Sequence, residues 1–346
     1  MTSKDRLFSS LALDLPDKVP FVPKLGLASI KYAGLRYRDV FEDIDKWVYA
    51  QLKSLEDFHV DAVWDFGTAA HFAEPFGGRL IIFDDEQPAN QPFIESKDQV
   101  GNLIRGSNIT KSYCLQSCLK AVNKLKRSVG SDVPVIGFVP MPFRFASIAR
   151  GMHNLMLDMI LNPDMVRTLQ EYFIPFAVDY AEQIIDAGAD LVSQVNAMAS
   201  KNCISRKHYQ ELVHPYSKRF FQQLKERGIK SIYHTCGNWS DRFDLAINEG
   251  AECLWIDWMN DLELANLKKT IGSKICLMGN LDVAGIVLNG APDEVARATR
   301  ECLTIGAPSG GFILSGSCIF PRDTKPENII AIEKARNKFR LNKSEF

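Results

Sequence analysis

Short apolar runs rich in β-branched residues recur along this chain, and between them lie longer stretches whose apolar positions repeat at helical spacing. Residues 20–25 (Pro-Phe-Val-Pro-Lys-Leu) read as a first strand, since proline at both margins favours extended backbone. The spacing of Phe41, Ile44, Trp47, Val48, Leu52 and Leu55 predicts a helix over 37–59, and residues 61–66 form a second strand. Further strands are predicted at 133–139, 190–195, 231–237, 252–257, 274–279 and 311–315. Helices are predicted between them at 112–129, 146–161, 164–187, 206–227, 240–248, 262–270 and 292–305, and Gly188, Gly228, Gly250 and Gly272 act as stops. Pro175 is expected to kink the helix it interrupts.

The pattern breaks once, between Phe76 and Ile94, where Gly77-Gly78, the run 79–83, an acidic triplet and two prolines read as a β-hairpin inserted after the second strand. Eight strands alternating with helices predict an α/β protein, a (β/α)8 TIM barrel occupying residues 1–346 as a single domain. No Gly-x-Gly-x-x-Gly follows the first strand, which argues against a dinucleotide-binding sheet.

Composition narrows the function. The chain is 46% hydrophobic, and its 41 basic and 42 acidic residues leave a formal charge of −1 without long runs of either sign. Such a balance points to no nucleic-acid partner and no membrane surface. No long apolar stretch and no signal-peptide core appear, so a cytoplasmic protein is expected. The cysteines at 114, 118, 203, 236, 253, 276, 302 and 318 lack the spacing of a disulfide scaffold and are read as reduced. Cys114 and Cys118 share a helical face without a neighbouring histidine and are read as packing residues.

Candidate chemistry centres on Ser231-Ile232-Tyr233-His234-Thr235-Cys236-Gly237. In a strand, residues two apart share a face, so the His234 imidazole and the Cys236 thiol leave the strand end side by side. In a barrel this end faces the active-site mouth, as does the loop after the last strand, which carries Cys318. One imidazole and two thiols suit a catalytic zinc that keeps a position open. Asp257, ending the sixth strand, is either the fourth ligand until substrate displaces it or an acceptor that orients His234. Trp64, Phe66, Met141, Asn196 and Trp258 lie at or just beyond the C-terminal ends of strands and are candidate cofactor-pocket walls, although most aromatics at such positions are core. Asn280 either contacts cofactor or substrate or turns the backbone. His71 is a candidate acid or base, or else a solvent-facing loop residue.

Three stretches carry a family resemblance: His234-Thr235-Cys236-Gly237, Met278-Gly279-Asn280-Leu281-Asp282, and residues 314–329 (Leu-Ser-Gly-Ser-Cys-Ile-Phe-Pro-Arg-Asp-Thr-Lys-Pro-Glu-Asn-Ile). With these motifs the whole chain resembles the uroporphyrinogen decarboxylase superfamily, and within it the zinc-dependent, cobalamin-linked methyltransferases that include methylcobalamin:coenzyme M methyltransferases. The resemblance implies zinc on His234, Cys236 and Cys318, and a corrinoid co-substrate, supplied as free methylcobalamin or on a corrinoid protein. It also implies a small-molecule methyl acceptor, a thiol, or alternatively a methyl donor whose O- or N-methyl group passes to Co(I). Decarboxylases of the superfamily carry an arginine-rich stretch after the first strand, whereas this chain has Leu25-Gly26-Leu27-Ala28-Ser29, which disfavours tetrapyrrole decarboxylation.

Overall fold

Apolar runs without strict alternation are what a parallel sheet covered on both faces requires, and the strands of that sheet are buried along almost their whole length. The computed structural model describes residues 1–103, 107–259 and 263–341. In chain order its strands are β1 (Val63–Trp64), β2 (Leu80–Ile81), β3 (Ala89–Asn90), β4 (Val135–Phe138), β5 (Leu191–Val195), β6 (Ser231–Thr235), β7 (Cys253–Ile256), β8 (Cys276–Leu281) and β9 (Phe312–Gly316). Seven of them make one sheet in the order β1-β4-β5-β6-β7-β8-β9.

Among the described residues the predicted first strand contributes one bridge, Phe21 to Leu314. Pro20 and Pro23 have no N–H to donate, so the ladder cannot extend. What remains is local: the Val22 N–H donates to Leu314 O (2.9 Å), the Leu314 N–H to Pro20 O (2.9 Å) and the Asp61 N–H to Phe21 O (2.7 Å).

Several predicted helices are split. Residues 37–59 form Tyr37–Glu42 and Ile44–Phe58, because the Asp43 side chain caps the second piece by accepting from the Asp45 N–H. The expected helix 146–161 begins earlier, with Pro142 in its first turn, and breaks into Pro142–Arg150 and Met152–Leu161. Gly151 at φ +79° sits at the break. Residues 206–227 divide into Arg206–Leu212 and His214–Glu226. The helix expected over 240–248 is reduced to Phe243–Ala246. By contrast Pro163–Asp186 runs through Pro175 as one helix. Leu262, where the spacing starts the next helix, lies outside the described residues; the observed helix is Leu264–Ile271. A 3-10 segment, Ala69–Phe76, precedes the ribbon in which Leu80 pairs with Asn90 and Ile81 with Ala89.

The chain divides into two compact units. The first comprises Met1–Trp64, Lys124–Val135 and Glu252–Phe346. In it β7, β8 and β9 form parallel ladders, with Cys253 opposite Cys276 and Leu277 opposite Phe312. The second comprises Asp65–Asn123 and Ile136–Ala251. There β4, β5 and β6 are parallel neighbours, with Ile136 opposite Leu191 and Val195 opposite His234. Its helical layer is held by an aromatic cluster: Phe72 meets Phe145 edge-on at 5.4 Å, and Phe145 stacks on Phe173 at 5.2 Å. Such pairs add about 0.5–1.5 kcal/mol each beyond the area they bury. No helix among the described residues is long and apolar enough to cross a membrane.

Candidate metal centre

Strand β6 ends in Tyr233, His234 and Thr235, and period-two geometry sends alternate side chains to opposite faces. Tyr233 packs against Phe221 and Trp239, with ring centroids at 5.2 and 5.6 Å, leaving His234 for the other face. Past the strand, Gly237 turns the chain at φ +85°, a conformation open to glycine. A Cβ there would also lie 3.1 Å from the Ser200 side chain. The turn is pinned: the Trp239 indole donates to Cys236 O at 3.0 Å, and the Asn238 N–H donates to Asn202 Oδ1 at 2.8 Å. Beneath it the buried Arg242 donates to Ala199 O at 2.7 Å and Ile204 O at 2.9 Å, tying the loop after β5 into the same support.

The Cys318 loop is fixed by separate contacts. The Trp255 indole donates to Gly316 O at 2.7 Å, the Ser317 N–H to Leu281 O at 2.7 Å, and the Phe320 N–H to Lys24 O at 3.0 Å. Any side chain on Gly316 would overlap Val283, whose Cγ1 lies 2.3 Å from the ideal Cβ position.

His234, Cys236 and Cys318 form a group whose ligand atoms all lie within 4.8 Å of one another. His234 is buried and the two cysteines are half-buried. A tetrahedral zinc with bonds of about 2.0–2.3 Å needs ligand atoms about 3.4–3.8 Å apart. Side-chain rotation can supply the difference, and one imidazole with two thiols is a donor set that zinc favours. The residues therefore fit the ion.

Asp257 is not in the ligand group, and its Oδ1 accepts from the Met259 N–H at 3.3 Å. Trp64 is built into its unit's core: its indole donates to Pro23 O, its ring tilts against Trp255 at 5.8 Å, and Lys24 Nζ lies 5.0 Å above it. Phe66 is buried 5.0 Å from the His71 ring. Met141 is buried at the N-cap of Pro142–Arg150. Asn196 is fully buried, at the N-cap of the 3-10 turn Ala197–Ala199. Trp258 is 47% exposed. Asn280 is half-buried on β8, opposite Ser315.

His71 is neither solvent-facing nor suited to acid catalysis near neutral pH. It is fully buried in the 3-10 segment, where desolvation pushes its pKa down to about 3. Cys118 Sγ lies 3.9 Å from its Nδ1, and Cys114 and Cys118 are both buried packing residues. As pH falls below about 6.5 the unfolded chain protonates this histidine and the folded chain does not. Stability should therefore drop by about 1.4 kcal/mol per pH unit until about pH 3. Urea unfolding of zinc-free protein between about pH 7 and about pH 5 checks this, and His71→Phe should flatten the slope by that amount.

Arg144 escaped the sequence reading. It lies in the first turn of Pro142–Arg150, and its only clue is a cation set between Phe143 and Phe145 just beyond a strand. Burial pulls its pKa below the usual arginine value, while the negative charge of Cys236 acts in the opposite direction.

Comparison with known proteins gives a consistent set of relatives. The family described as Uroporphyrinogen decarboxylase (URO-D) matches residues 2–339. Methylcobamide:CoM methyltransferase MtbA of Methanosarcina mazei is 27% identical over 316 residues, 88% of this chain and 90% of that protein. A uroporphyrinogen decarboxylase of Acinetobacter baumannii strain AYE is 24% identical over 262 residues, 73% of this chain and 71% of its own. A solved structure described as a methyltransferase from Methanosarcina mazei has a TM-score of 0.89 at 21% identity, covering 98% of this chain and 99% of its own. At that identity the likeness speaks for the fold, which is the expected α/β TIM barrel.

Proposed function

We propose, from the premise that the chain belongs to the uroporphyrinogen decarboxylase family, that it is a methyltransferase acting between a corrinoid and a zinc-activated acceptor thiol. The observation that carries this reading is the convergence of His234, Cys236 and Cys318. Three protein ligands leave a fourth position for a substrate atom, the arrangement of a catalytic rather than a structural site. Further support comes from the similarity to the methylcobamide:CoM methyltransferase.

Zinc held by these residues would supply Lewis acidity, making a thiol that reaches it a thiolate near neutral pH. The chain's own part is positional. Trp239, Asn202 and Arg242 hold the Cys236 turn, and Trp255 holds the Cys318 loop, so the donor set is organised before substrate arrives. In the reaction the thiol proton leaves to solvent and the sulfur lone pair attacks the methyl carbon of the methyl-corrinoid in line. The S–C bond forms as the Co–C bond breaks, the bonding pair stays on cobalt as Co(I), and a methyl thioether is released. The corrinoid is delivered free or on a corrinoid protein. A cytoplasmic setting is supported by the eight cysteines, all free thiols.

The test is to incubate zinc-loaded protein with methylcobalamin and, separately, thiols, tetrahydrofolate and methoxylated aromatics, following cobalamin absorbance and product mass. Methylation of at least one thiol is expected. Exchange with none of them, or transfer by Cys236→Ala protein at the wild-type rate, would contradict the reading.

A further inference from the structure

We propose that Tyr209 is a positioning residue for the metal ligand Cys236, acting through Trp239 and Arg242; this rests on reading His234, Cys236 and Cys318 as a metal centre. A buried carboxylate is the first sign. Glu249 is 2% exposed, and its Oε1 accepts from the Tyr209 hydroxyl and lies 2.8 Å from His214 Nδ1. Burial pushes its pKa up, while the hydrogen bonds with His214 and Tyr209 act in the opposite direction. Withdrawing a carboxylate from water is costly, and is tolerated where donors of fixed geometry meet it. The donors here come from two helices, Arg206–Leu212 and His214–Glu226, so Glu249 ties the Tyr209 ring to the start of the next helix.

The Tyr209 ring touches both supports of the Cys236 turn. It is fully buried and meets the Trp239 indole edge-on, at 5.4 Å between centroids and 84° between planes. The Arg242 guanidinium carbon sits 5.1 Å from its centroid, a cation against an aromatic face. Trp239 also meets Tyr233 edge-on, at 5.6 Å and 82°. Trp239 carries the N–H that donates to Cys236 O, and Arg242 carries those that hold Ala199 O and Ile204 O. One ring therefore backs the two side chains that fix this turn and the loop beside it, and all of them belong to one unit.

Cys236 depends on such backing more than His234 does. His234 sits within β6, whose ladder to β5 fixes its backbone with Val195 opposite. Cys236 lies just past the end of that strand, before Gly237 at φ +85°, where the Trp239 indole holds its carbonyl. A zinc–sulfur bond of about 2.3 Å tolerates little displacement of the thiolate. Losing a group that orients a ligand typically lowers metal affinity about 10–100-fold. Without the Tyr209 ring, the Trp239 indole is free to turn away from the Cys236 carbonyl.

Cobalt(II) in place of zinc gives thiolate-to-metal absorption bands that report how the cysteines bind it, and competition with a chromogenic chelator reads zinc affinity; neither depends on catalysis. In the full-length protein Tyr209→Leu should shift the cobalt bands and weaken zinc binding about 10- to 100-fold. Tyr209→Phe keeps the ring against Trp239 and Arg242 and should leave both signals at the wild-type level, although it strips a donor from the buried Glu249 and lowers the urea midpoint. A role in stability alone predicts metal signals that follow the urea midpoint in both variants. If Tyr209→Leu does not fold, Trp239→Phe, which keeps an aromatic ring and removes the N–H to Cys236 O, must give the same shift. Unchanged cobalt bands in Tyr209→Leu or Trp239→Phe, or an equal disturbance in Tyr209→Phe, would overturn the proposal. A wild-type protein that takes up neither cobalt nor zinc would reject the metal centre and the proposal with it. Methyl transfer is read separately. Shifted bands in Tyr209→Leu without methylation of any thiol by the wild type keep the positioning role and reject the enzymatic reading, whereas methylation with unchanged bands in the variants does the reverse.

Discussion

Cys236→Ala and Cys318→Ala proteins should each lose stoichiometric zinc and methyl transfer while remaining folded. Zinc affinity depends on deprotonated soft donors, and each substitution removes one of the three candidate ligands. Losing even an outer hydrogen-bond partner of a ligand typically costs about 10–100-fold in affinity, and losing a ligand itself should cost more. The fold has little at stake, because both cysteines are half-buried at loop positions while the core is built elsewhere from residues such as Phe72, Phe173, Leu254 and Ile313. Each variant should lie within about 1 kcal/mol of wild type when the metal-free forms are compared. Elemental analysis after desalting, paired with urea unfolding, reads both quantities. Full zinc occupancy in the Cys236→Ala, Cys318→Ala double variant would remove these residues from the metal site.

The largest loss of stability should follow Asp61→Ala, with zinc content unchanged at saturating metal. Asp61 is 3% exposed, and its carboxylate gathers several donors. Oδ2 accepts from the Phe21 N–H at 2.8 Å and from the Arg336 guanidinium, and Oδ1 accepts from the Ser3 hydroxyl at 2.6 Å. It thus joins the N-terminal helix, the irregular first strand and the helix Pro326–Lys338 within one unit. Removing it leaves the buried Arg336 without its counter-ion, and breaking such a pair from one side typically costs about 3–5 kcal/mol. Denaturant unfolding checks this. A change below about 1 kcal/mol would mean that water or Asp17 replaces the lost partner.

The strands were legible because a parallel sheet buried on both faces leaves runs such as Cys253-Leu254-Trp255-Ile256, which no exposed element would tolerate. Helix boundaries were less so. Apolar spacing continues across Asp43 and across Gly151, so periodicity joins pieces that a cap and a left-handed glycine separate. His234 and Cys236 could be paired from spacing alone, whereas Cys318 became a candidate ligand only through the barrel reading, which sets the loop after the last strand at the same mouth. His71 was misjudged because Thr68-Ala69-Ala70 looks like a loop, yet the apolar Phe72 and Phe76 that follow bury the segment. Arg144 went unread for a different reason. A single arginine among aromatics looks like a side chain that snorkels to water, and nothing in the spacing shows that it is half-buried.

The most direct test of zinc-dependent methyl transfer at His234, Cys236 and Cys318 is one rate measured three times. Demethylation of methylcobalamin by a thiol is followed by absorbance with protein as zinc-loaded, zinc-stripped and zinc-restored samples. The account predicts turnover in the first, background in the second and recovery in the third, with the S-methyl product equal to the methylcobalamin consumed. Undiminished turnover after complete removal of zinc would contradict it.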